Sequence, residues 1–335
     1  MRKTLVFCIF LLLMASVCWA APDETSAIDG GVYLNLSAQY LRLDLPDYSP
    51  IALEDTSWQI IKYLDGSDGR EDAVMPGLTL GVPIPALNLI FELGIEMADW
   101  NGSTHKSYNY GPDYRVGWLS VGGDLWTWGI TGDVSDVEAR MNRSGDYSRI
   151  ELLGKYPVRF AGLKLVPFVG PSFMSLEEDF TLHANMTGVF SDTQTQMNEH
   201  LNSDYIGGRA GVIVAGRFCD FATWELTPAV GIYHLDAEYH GTQQVSDIFS
   251  NISSTAHDDK SRTTTAASVL GKITLQYEQL SLSFIAGVDY LENVAKIRHS
   301  TLGHGSANNS GTPAHIEFDS SLNSRFGVEL GFQFW

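Results

Sequence analysis

His234-Leu235-Asp236, followed in the same alternate phase by Glu238 and His240, puts imidazoles and carboxylates on one face of an extended strand. That pairing is what general-base activation of a water requires. His299-Ser300 and His304-Gly305-Ser306 bring imidazoles beside hydroxyls, the elements of a nucleophile and its base. Asp65-Gly66-Ser67-Asp68-Gly69 offers carboxylates to a divalent cation, but its spacing departs from that of a calcium loop and suits a turn. Each cluster stops short of a site. The His-x-Asp pair has no second acidic pair on a facing strand, and the His/Ser run lies in a Gly/Ser/Asn-rich stretch that promises neither a rigid base nor an oxyanion hole. Cys219 sits in a turn-like position with no visible activating partner. No phosphate-binding glycine loop or zinc ligand cluster is present, so the sequence points to no catalytic residue, no metal, no cofactor and no enzyme.

What would carry these residues is a long series of strands. In the last of them Phe326, Val328, Leu330, Phe332 and Phe334 alternate with Arg325, Gly327, Glu329, Gly331 and Gln333, one face fit for lipid and the other for water. Similar alternation marks strands near 30–43, 74–82, 89–100, 116–128, 147–156, 163–176, 205–218, 223–239, 264–277, 280–290 and 322–334. Short turns such as Pro157-Val158-Arg159, Cys219-Asp220 and Glu278-Gln279 alternate with long polar connections near 44–73, 101–115, 178–202, 240–262 and 292–318. An outer-membrane barrel needs an even count. The short-long rhythm breaks only between Trp128 and Tyr147, so a weakly apolar strand at about 131–141 is inserted there. The fold expected is all-β: a transmembrane antiparallel up-and-down β-barrel of about 12 strands, with ten or fourteen as the neighbouring counts.

Compartment follows from both ends of the chain. Arg2 and Lys3, the apolar run Leu5 to Val17 and the box Cys18-Trp19-Ala20 read as a signal peptide over 1–20, leaving 21–335 as the barrel. Removing 1–20 takes two of the 21 basic residues and none of the 40 acidic ones, moving the formal charge from −19 to −21. Nucleic acid is excluded as a partner on that charge. Cys219 is then the remaining cysteine, so no disulfide framework holds the fold. Leu78 to Phe91, the most apolar later segment, is broken by Pro83, Pro85 and Asn88, which excludes a helical span.

The water-facing phase of the clear strands carries Glu92, Glu96, Asp124, Glu151, Glu225, Glu278, Asp289 and Glu329 against Arg149, Lys155, Arg209, Arg217, Lys272 and Arg325. Opposed walls of this kind suit the passive diffusion of small polar solutes through a porin-like channel; salt bridges filling a narrow barrel are the alternative, giving a closed structural or surface-binding barrel. A hydrolase with its site at the rim is the third reading. In the acidic connection 45–73, Trp58-Gln59-Ile60-Ile61-Lys62-Tyr63 is apolar enough to fold inward or to pack on the rim. Expected partners are outer-membrane lipid and lipopolysaccharide, small solutes, and the barrel-assembly machinery through the C-terminal strand.

Tyr147-Ser-Arg-Ile-Glu-Leu-Leu-Gly-Lys-Tyr, Leu163-Lys-Leu-Val-Pro-Phe-Val-Gly and Tyr205-Ile-Gly-Gly-Arg-Ala-Gly resemble the strand motifs of the Legionella-type major outer-membrane pore-forming family. The resemblance covers the middle third to half of the chain and implies a pore-forming barrel of a Gram-negative bacterium; no substrate residues carry over. Phe332-x-Phe334 fits the family's ending, and Trp335 is one residue beyond it. The His/Asp cluster is similar to the pairs of omptin proteases, but in the order His-x-Asp.

Overall fold

The alternating segments form strands far longer than their apolar portions. The structure is a computed structural model that describes residues 31–55, 60–64, 69–110, 114–118, 121–122, 135–160, 163–187, 192–246, 251–299 and 312–334. Its strands are β1 (Tyr33–Asp44), β2 (Ile51–Asp55), β3 (Ile60–Leu64), β4 (Arg70–Ile84), β5 (Leu89–Tyr110), β6 (Tyr114–Trp118) and β7 (Ser135–Lys155). They continue with β8 (Val158–Phe160), β9 (Leu163–Thr187), β10 (Asp192–Cys219), β11 (Ala222–Ser246), β12 (Asn251–Tyr277), β13 (Leu280–Arg298) and β14 (His315–Gln333).

Ten of these close a barrel in the order β1-β4-β5-β7-β9-β10-β11-β12-β13-β14, every pair antiparallel and β14 returning to β1. β8 pairs with β9 outside the closed ring, and β3-β2-β6 make a separate three-stranded sheet. The expected twelve thus becomes ten, for two reasons. The described part of the expected strand at 131–141, residues 135–141, is the outer end of β7, continuous with 147–155. The expected strand at 116–128 does not join the barrel where it is described: Tyr114–Trp118 pairs with β2 instead, and 123–128 lie outside the described residues. The first error comes from assuming strands of membrane length where β7 runs to 21 residues.

The outer face changes character once along every strand. On β11, Leu226, Val230 and Ile232 face outward and are exposed, and in the same phase they give way to His234, Asp236, Glu238 and His240. The switch recurs at Ile206/Asp204 on β10, Met97/Asp99 on β5, Val74/Asp72 on β4, Tyr290/Glu292 on β13 and Leu322/Ser320 on β14. Register ties these positions into one ring, since Tyr290 faces Leu322 and Val74 faces Tyr40, which faces Phe326.

Inside, the pattern inverts. Below the switch charged residues point inward beside Leu153, Phe168 and Ile213; above it Leu41, Leu43, Met75, Leu201, Tyr205, Tyr233, Leu235 and Tyr239 are buried in one apolar cluster. Two-residue turns join β10 to β11 and β12 to β13 at the lower end, and Glu278 takes the left-handed conformation (φ 53°) that such a hairpin demands. Glu278 therefore belongs to a turn and not to the lumen, contrary to its alternation phase.

Candidate functional site in the barrel interior

Inward positions on five strands bring three guanidiniums and three carboxylates into one lattice at mid-height. Arg325 on β14 reaches Glu96 on β5 at 3.0 Å, passing over β1 and β4, and faces Asp289 on β13 at 3.1 Å. Arg149 on β7 stands 3.8 Å from Glu96 and pairs with Glu151, two residues along its own strand. Arg209 on β10 meets Glu151 at 2.9 Å and donates to the Ser268 hydroxyl on β12 at 2.7 Å, with Phe168 under its guanidinium. Charges drawn into a barrel must be paired and hydrogen-bonded, because stripping them of water costs several kcal/mol per ion. Here each guanidinium has at least one carboxylate, and the pairs reach across the lumen as well as along its wall.

A second tier lies nearer the turn end. Lys155 contacts Glu92 at 2.6 Å, Tyr33 donates to the same carboxylate at 2.5 Å, and Lys272 pairs with Glu329 at 2.5 Å. Glu225 lines the cavities beside this tier. Those cavities taper upward, from about 300 Å³ at the turn end to about 170 Å³ between the tiers. Above, about 60 Å³ remains beside Arg149, Arg209 and Arg325.

Above the lattice the barrel is filled. The segment after β1 turns inward: Tyr48 stacks on Phe180 (centroids 4.4 Å apart), and its hydroxyl donates to Glu199 at 2.5 Å. Tyr239 donates to the other oxygen of Glu199 at 2.5 Å, and His299 Nε2 lies 2.9 Å from both. Burial pushes the Glu199 carboxyl up, but the charge and hydrogen bonds of His299 with the two tyrosine hydroxyls outweigh it and hold the group below the usual carboxylate range. The same environment pushes the Tyr48 and Tyr239 hydroxyls well up, through burial first and then the neighbouring Glu199 charge, so both remain donors. Arg143, paired with Glu178 at 2.6 Å, donates to the Pro46 carbonyl at 3.1 Å and pins the same segment. Further up, Ile51 and Leu53 of β2 pack with Val137, Met141, Leu182 and Met197. Of the segment Trp58 to Tyr63, residues 60–63 belong to β3, which pairs with β2, and 58–59 lie outside the described residues.

Glu92, Glu96, Glu151, Lys155, Arg209, Glu225, Lys272, Asp289, Arg325 and Glu329 line the interior cavities or join the two tiers. Arg217, in the same phase, is exposed at the rim by the turn, and Asp124 lies outside the described residues. His234 pairs with Asp236 at 3.2 Å on the exposed outer face, opposite Ile206 and Thr263. His299 is buried on Glu199, while Ser300, His304, Ser306 and 65–68 lie outside the described residues. Cys219 ends β10, free and exposed.

Similar solved structures include the outer-membrane protease OmpT of Escherichia coli, 11% identical over 94% of this chain and 100% of that one, with a TM-score of 0.40. A FadL homologue of Pseudomonas aeruginosa is 9% identical over 92% and 91%, TM-score 0.27, and an anion-selective porin of Comamonas acidovorans is 8% identical over 91% and 100%, TM-score 0.21. No family model and no curated protein matches the chain, so the Legionella-type resemblance finds no support there.

Proposed function

We propose that this protein is an outer-membrane β-barrel that does not conduct: it crosses the bilayer at its apolar belt and holds a long, closed half outside the cell for binding or structural work. The observation that carries the reading is the lattice of Arg149, Arg209 and Arg325 with Glu96, Glu151 and Asp289, roofed by the apolar filling around Tyr48 and Leu201. A solute would have to break buried ion pairs and then cross a packed core. The belt supports the placement in lipid, since 222–232 on β11 matches the roughly 9–11 residues a tilted strand needs to cross hydrocarbon. With this reading go a signal peptide over 1–20, lipid and lipopolysaccharide around the belt, and delivery by the barrel-assembly machinery through β14. Passive diffusion of small polar solutes is the second reading, favoured by the row of cavities that opens at the turn end.

Liposome swelling separates the two. Vesicles carrying the refolded protein should swell in small sugars or amino acids no faster than protein-free vesicles, and size-dependent swelling would restore the diffusion reading. The belt makes its own prediction. Leu226→Arg, placed mid-belt, should cost about 2–4 kcal/mol of folding free energy in lipid vesicles. Asp236→Arg, above the switch, should stay within about 0.5 kcal/mol of the parent. Equal effects in guanidinium titrations would mean that the belt does not face lipid.

A further inference from the structure

The outer face of the extracellular half carries a row of histidines that only the strand register assembles. His200 on β10 lies opposite His240 on β11, and His240 lies opposite His257 on β12. In the adjacent row Glu238 lies opposite Asp259, and both point outward with the histidines. Directly opposed residues of antiparallel strands hold their Cβ atoms about 4.5–5.5 Å apart, close enough for ligand atoms to converge.

They do converge at one point. The ligand atoms of Glu238, His240 and His257 lie within 4.8 Å of one another. His240 and His257 are stacked with centroids 4.3 Å apart and planes 20° apart. His240 Nε2 is 2.8 Å from Glu238 Oε1, and His257 Nε2 is 2.9 Å from Asp259 Oδ2. An ion bound at about 2.0–2.2 Å would draw these atoms together by about an ångström, a small adjustment for exposed side chains. The second nitrogen of His257 is already engaged. Nδ1 stands 3.0 Å from the Tyr239 carbonyl oxygen, an acceptor, so Nδ1 carries the hydrogen and Nε2 is the atom turned to the cluster. That is how ligating histidines are commonly oriented. Tyr239 is itself fixed from inside, its hydroxyl on Glu199, so the carbonyl that sets the ring belongs to a rigid part of the wall.

We propose that Glu238, His240 and His257, with Asp259 beside them, form a surface site for a divalent transition-metal ion of the zinc, nickel or copper class. Two imidazoles and a carboxylate are a borderline-soft set, poorly suited to calcium or magnesium, which take oxygen ligands. The site stands above the outer-face switch at Ile232/His234, on the side exposed to water, and leaves coordination positions open to solvent or to a ligand from outside. It does not depend on whether the lumen conducts.

Calorimetric titration of the refolded barrel with Zn²⁺ alone should show one saturable site per chain. His240→Ala and His257→Ala should each weaken it on the order of tenfold or more. His105→Ala, on β5 four strands around the ring from β11, should leave it unchanged. Bound Cu²⁺ should give an electron paramagnetic resonance spectrum with hyperfine splitting from two imidazole nitrogens, reduced to one in either variant. All three ligands are exposed, so the variants should fold as the parent does, checked by far-UV circular dichroism. Absence of saturable Zn²⁺ binding, or equal affinity in the folded His240→Ala/His257→Ala double variant, would overturn the proposal.

Discussion

Glu199→Leu should lower the unfolding free energy of the refolded barrel by about 3–5 kcal/mol, the usual cost of removing one partner from a buried charge pair. The side chain is fully buried and accepts from Tyr48, Tyr239 and His299, so its loss leaves two buried hydroxyls and an imidazole without their acceptor. Glu199→Gln keeps an acceptor oxygen in place and should lose less. The pH dependence has a definite sign. Because the Glu199 pKa is depressed in the folded state, its stabilisation is complete above the ordinary glutamate value and fades as pH falls through the folded one. Acid should therefore loosen the segment around Tyr48 in the parent below about pH 4.3, and much less so in Glu199→Gln. Guanidinium unfolding and hydrogen exchange across 45–50 are the readouts; a loss under about 1 kcal/mol in Glu199→Leu would show that the cluster does not hold the filling in place.

The second large effect is conditional. On the closed-barrel proposal, lattice and apolar filling block the lumen in series, so removing either alone should leave the barrel silent. Arg149→Ser/Arg209→Ser/Arg325→Ser leaves Glu96, Glu151 and Asp289 around a hydrated neck, yet the filling around Leu201 and Tyr205 still closes the path above it. Combining that triple variant with Glu199→Leu should produce ion flux, cation-preferring because the carboxylates remain. Adding Glu96→Gln, Glu151→Gln and Asp289→Asn should remove the preference and relieve the repulsion among uncompensated charges. Flux through either parent variant alone would show that the other layer is no barrier. A folded combined variant that stays tight would place the block elsewhere in the wall.

Alternation made the barrel and its inward charges legible. Glu96, Glu151, Arg209 and Arg325 could be assigned to the interior because a period of two fixes the face of every residue once a strand is recognised. Whether those charges face water or one another could not be read that way. The pairing of Arg325 with Glu96 spans 229 residues and depends on barrel circumference, which follows from the strand count. That count failed at β7, whose outer half alternates inward apolar residues (Val137, Ala139, Met141) with outward polar ones, the reverse of its belt. A pattern that inverts midway looks like two strands joined by a loop. Glu199 and Tyr48 escaped notice, and His299 was read beside Ser300 and not against Glu199, for a related reason: each lies in a polar stretch that reads as a surface connection, and their contacts cross 100 and 151 residues of sequence. The row His200, His240 and His257 was equally hidden, because only the registers of β10, β11 and β12 bring it together.

Closure of the lumen is tested most directly by recording from the refolded parent protein in planar lipid bilayers at high salt. A barrel crossed by the Arg149, Arg209 and Arg325 lattice and filled above it predicts a flat current, with no discrete steps at any holding potential the membrane tolerates. Reproducible unitary steps from the parent protein would contradict the closed barrel and establish a conducting one.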